Sequence, residues 1–103
     1  MRYILVLQWP AASEADYDAL IAMEDTLEAA LTNAHGFVDG HDFGSGQMNI
    51  FIHTDQPLEA FGDAVASLST DPRWPDVRAA YRPAEGDRYV VVWPEALQEF
   101  SVS

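Results

Sequence analysis

Phe37-Val38-Asp39-Gly40-His41-Asp42-Phe43-Gly44-Ser45-Gly46-Gln47-Met48-Asn49-Ile50-Phe51-Ile52-His53 reads as two strands around a glycine-flanked turn, and their pairing decides both fold and candidate chemistry. Side chains alternate across a strand, so a slip of one residue moves every polar group to the other face. With Gly44-Ser45-Gly46 as a three-residue loop, Phe37, Asp39, His41 and Phe43 share a face with Gln47, Asn49, Phe51 and His53. Val38 then joins Met48, Ile50 and Ile52 on the other face. A two-residue loop places Asp39 and His41 beside Met48, Ile50 and Ile52 instead, at about 1–3 kcal/mol per unpaired polar group. The three-residue register separates polar from apolar and is the one expected, with helices covering Ile50 and Ile52.

Upstream, Arg2 to Gln8 forms a strand that is apolar at both parities (Tyr3, Leu5 and Leu7 against Ile4 and Val6), which marks a central strand covered on both sides. Ser13-Glu14-Ala15-Asp16 opens a helix with a capping-box pattern, and that helix closes before Gly36. Downstream, Asp55-Gln56-Pro57 starts a second helix in which Leu58, Phe61, Val65 and Leu68 recur at helical spacing; Asp71-Pro72 ends it. Asp76 to Arg82 and Tyr89 to Trp93 follow as strands around the turn Pro83-Ala84-Glu85-Gly86-Asp87, and the tail from Glu95 to Ser103 is weakly patterned. The order β-α-β-β-α-β-β predicts a single domain over residues 1–103. Its class is α+β, a ferredoxin-like sandwich with two helices on one face of an antiparallel sheet of four or five strands.

Such a sheet ought to have a wet second face, yet Arg2–Gln8 and Tyr89–Trp93 carry apolar residues at both parities. In element order and two-sided strands, residues 2 to 93 resemble the dimeric α+β barrel superfamily. The resemblance implies two copies paired sheet to sheet, often around a small ligand. It is architectural, includes no catalytic motif and implies no site residues. A homodimer through the open sheet face is therefore expected.

At 103 residues and 49% apolar content the chain supports one two-layer core. Seventeen acids stand against five arginines and no lysine, a formal charge of -12 that repels phosphate backbones and anionic membranes. Neither nucleic acid nor membrane is expected as a partner. A cationic protein or ligand fits that charge, and so does mere solubility. Without cysteine there is no disulfide, thiol nucleophile or thiolate metal site. Tyr3-Ile4-Leu5-Val6-Leu7 with Ala11-Ala12-Ser13 is too short a segment for a secretory leader, and no run approaches the roughly 20 apolar residues of a membrane span, so a cytoplasmic protein is expected.

All three tryptophans precede proline: Trp9, Trp74 and Trp93. Trp9 and Trp93 end strands expected to run parallel, so they share one end of the sheet, either as an aromatic mouth or as core-capping indoles. Together with Asp39, Asn49 and Phe51 they are the candidate ligand or partner contacts. His41, His53 and Glu24 are the candidate acid-base groups. With His41 opposite Asn49, His41 and His53 stand about 13 Å apart, too far to share one zinc, and no metal or cofactor is expected. His35 suits the negative end of the first helix. Glu24 falls among Tyr17, Leu20, Ile21, Leu27 and Leu31 on a helical wheel. It is then either desolvated, or paired with Arg2, Arg78 or Arg82, or left at the boundary by an apolar stripe turned toward Met23, Leu27 and Ala34; the last is the expectation. The residues favour a non-catalytic, acidic, homodimeric interaction or regulatory protein, such as an immunity-type inhibitor of a basic toxin. The alternative is a cofactor-independent enzyme or small-ligand carrier with a pocket between paired sheets.

Overall fold

Strand β1 (Tyr3–Pro10) lies at the centre of the sheet because it is apolar on both sides. The computed structural model describes residues 1–102. Helix α1 (Glu14–Ala30) starts at Ser13, whose Oγ accepts from Asp16 N at 3.3 Å while Asp16 Oδ2 accepts from Ser13 N at 3.1 Å, so both arms of the capping box are made. Strands β2 (Phe37–Gly44) and β3 (Gln47–Thr54) form the hairpin, helix α2 (Pro57–Leu68) follows, and β4 (Arg78–Pro83) and β5 (Val90–Trp93) complete an antiparallel sheet ordered β2-β3-β1-β4-β5. This is the ferredoxin-like arrangement with a fifth strand added beside β4.

Leu5, Leu7 and Trp9 of β1 and Met48, Ile50 and Ile52 of β3 form the sheet side of the core, and Leu20, Met23 and Leu27 of α1 close over them. Helix α2 buries Ala60, Ala64 and Leu68, while Leu58 is 61% and Val65 38% exposed. The expected stripe of Leu58, Phe61, Val65 and Leu68 is thus rotated toward the alanines. Small side chains let α2 approach the sheet closely, and Phe61 finds its partner in Trp74, at 6.0 Å between ring centroids.

The hairpin register differs from the expected one. Gly44 pairs with Gln47, leaving a two-residue Ser45-Gly46 turn in which both residues have positive φ, so His41 lies opposite Ile50 and Asp42 opposite Asn49. A bulge between Val38 and Gly40 then restores the expected pairing of Phe37 with His53. The desolvation argument against this register fails because a helix supplies His41 with a partner.

The open face is not bare. The chain beyond β5 turns back across it: Ser101 O accepts from Gln8 Nε2 at 2.9 Å, and Phe100 packs on Tyr89 with ring centroids 4.9 Å apart. Under this crossing the face buries Val6, Gln8, Asn49 and Ala80. No helix among the described residues is long and apolar enough to cross a membrane.

Candidate functional site

Glu24 projects from α1 into the edge of the core, with 12% of its side chain exposed, and both carboxylate oxygens reach His41 Nδ1 from β2 at 3.0 and 3.1 Å. This corrects the expectation of a boundary glutamate. Its partner is His41 and none of Arg2, Arg78 or Arg82. The apolar stripe of α1 runs through Leu20, Met23, Leu27 and Leu31 with Glu24 beside it, whereas Tyr17 is 41% exposed and edges the His41 and Phe43 rings. An imidazole held by a carboxylate has the orientation a general base needs, but among the described residues His41 bonds no hydroxyl that could serve as nucleophile.

His53 faces the other side of the sheet. Its Nε2 lies 3.5 Å from Asp39 Oδ2, and Phe37 stacks on its ring at 5.3 Å. The register therefore separates the two histidines onto opposite faces. Glu24 and His41 come together, Asp39 and His53 come together, and the two pairs do not meet. His35 forms a third pair, donating from Nδ1 to Asp63 Oδ2 at 2.8 Å. The Thr32 backbone N and Oγ1 donate to the same Asp63 oxygen, so the α1–β2 connection is tied to α2. Burial tends to raise the Asp63 pKa, and the bonds from His35 and Thr32 outweigh it, leaving the carboxyl below its ordinary 3.8. Asp16 is lowered too, chiefly because the backbone N–H groups of Ala12 and Ser13 donate to it. Among the described residues no group of three or more His, Asp or Glu side chains is arranged to hold a metal ion.

On the open face Asn49 is fully buried in an amide cluster. Gln8 Nε2 donates to Asn49 Oδ1 at 3.0 Å and to Gln47 Oε1 at 3.1 Å, while Asn49 Nδ2 reaches Gln47 Oε1 at 3.4 Å. Phe51 is partly buried on the same strand. Trp9 and Trp93 do end parallel strands at one end of the sheet, as expected, but Trp9 is sealed in the core at 1% exposure and only Trp93 is open, at 44%. They do not form a joint platform.

One surface feature was not announced by the residues. A cleft of about 580 Å³ opens between the tail and the sheet, floored by Gln8 and Gln47, walled by Tyr89 and Phe100, and rimmed by Arg78, Arg88, Asp87 and Glu99. A cleft of about 320 Å³ adjoins it, sharing Gln8, Gln47 and Arg78, and others of about 340 and 320 Å³ lie elsewhere; none of these is lined by Glu24, His41 or His53. The signal that could have revealed the main cleft is charge placement, since four of five arginines fall within residues 73–88 of an otherwise acidic chain. Comparison with protein-family models, with curated proteins and with solved structures finds no match to this chain.

Proposed function

We propose that this protein is a non-catalytic interaction protein that docks a cationic protein partner on its helical layer. The observation that carries the reading is the segregation of charge: no arginine or lysine occurs from residue 3 to residue 72, and α1 turns Glu14, Asp18, Asp25 and Glu28 to solvent. Beside that acidic helix, α2 leaves Leu58 and Val65 exposed. Acidic groups around apolar anchors match the anatomy of a protein interface, where apolar contact supplies affinity and complementary charge steers the encounter. The pairing-off of all three histidines with carboxylates, away from any described cleft, supports binding over catalysis. A cytoplasmic setting belongs to the same proposal, on the absence of cysteine.

The test is chemical crosslinking in the producing cell with the native chain, with Leu58→Asp and with Asp18→Lys/Asp25→Lys. The expected result is capture of a basic protein by the native chain, weakened by salt and lost in both variants. A capture profile that is unchanged in the variants defeats the proposal.

A further inference from the structure

Cations are scarce in this chain, and two of the five arginines are occupied. Arg73 Nη1 bonds Asp16 at 2.6 Å, and Arg82 Nη1 donates to the carbonyls of Pro83, Ala84 and Gly86. Arg78 and Arg88 are different: among the described residues neither makes an ion pair or a side-chain hydrogen bond, and both line the 580 Å³ cleft. Asp87 and Glu99 line it as well, and they too are in no ion pair. Two unpaired charges of each sign thus surround one cleft. At its floor Gln8, 5% exposed, spends Nε2 on three acceptors, while among the described residues no group donates to its Oε1. That oxygen is not sealed from solvent, and it can accept from a donor in the cleft.

We infer that the cleft binds a small zwitterion of the free α-amino acid class. The guanidinium groups of Arg78 and Arg88 take the carboxylate, Asp87, Glu99 and Gln8 Oε1 take the ammonium group, and the Tyr89–Phe100 wall takes the apolar part of the ligand. Charge balance makes the selection: a plain anion meets Asp87 and Glu99, a plain cation meets both arginines, and only a ligand with both signs satisfies the rim. The volume lies within the usual range of roughly 300–1,000 Å³ for small-molecule sites. This site is independent of the helical docking surface and lies on the opposite side of the sheet.

The test is calorimetric titration of the full chain with the common α-amino acids, each beside the carboxylic acid lacking its amino group and the amine lacking its carboxylate. At least one amino acid is expected to bind saturably, with both one-charge analogues weaker by about tenfold or more. Arg88→Gln and Glu99→Gln, at exposed positions that leave folding intact by circular dichroism, each weaken it by about tenfold. Glu85→Gln, outside the cleft, leaves binding unchanged. No saturation by any amino acid below about 10 mM overturns the inference, as does an analogue that binds as tightly as its parent or native affinity in both rim variants.

Discussion

Glu24 and His41 explain each other. Neither belongs beside an apolar core alone, but at 3.0 Å each removes the other's desolvation problem. Truncation of one partner strands the other, so His41→Ala is expected to cost about 1–3 kcal/mol in urea denaturation. Glu24→Leu combined with His41→Val is expected to cost less than the sum of the two single changes, because replacement of both partners by apolar groups leaves nothing unsatisfied. Strict additivity would show that the pair is not coupled. Gly36 is constrained differently. Its φ is +144°, and an added Cβ would press on the His53 carbonyl oxygen, where the α1–β2 connection passes close to β3. The Thr54 hydroxyl holds that passage by donating to His35 O. Gly36→Ala is expected to destabilise the protein by about 2 kcal/mol or more, read as a lower denaturation midpoint at unchanged slope.

Between elements, Asp63 is the main polar link from α2 to the end of α1, and it makes the link sensitive to acid. A carboxyl whose pKa is lower folded than unfolded stabilises the fold fully above its unfolded value and loses that contribution as pH falls through the folded value. For Asp63 the loss therefore begins near 3.8 and continues below it. The stability advantage of the native chain over Asp63→Asn is expected to shrink as pH falls from about 4 to about 2 in thermal unfolding. An advantage that grows in that interval would contradict the lowered pKa. The α2 helix itself shows how packing overrides periodicity. Leu58 and Val65 satisfy the helical repeat as well as Ala60 and Ala64 do, and the close approach to the sheet selects the small residues.

For the molecule as a whole, the tail has the widest consequence. It crosses the open face, closes the cleft on one side and covers apolar surface that the helices leave uncovered. A chain ending at Pro94 is expected to lose about 2 kcal/mol, on the order of 10 °C in Tm, through the lost Gln8–Ser101 bond and Phe100 contact. With Gln8 and Tyr89 freed of the tail, the truncated chain is expected to self-associate more strongly than the intact one by light scattering. An unchanged mass and Tm would mean that the tail contributes neither cover nor stability. A homodimer through this face, as the sequence leads one to expect, has to accommodate the tail, so the same comparison tests it.

Read alone, the residues determined what depends on neighbours along the chain: the Ser13 cap, the central two-sided β1, the order of elements and the ferredoxin-like sheet with its helices on one face. Those follow from periodicity and local hydrogen bonding, which act over a few residues. The candidate sites were legible only as residue types. His41, Glu24, Asp39 and His53 were named, but their grouping depended on a two-residue turn, on a bulge between Val38 and Gly40, and on a carboxylate that reaches His41 from α1. The cleft depended on contact between Gln8 and Ser101, 93 positions apart. Only the tertiary structure decided these, because burying polar groups is a matter of which distant partner packing brings within hydrogen-bond reach.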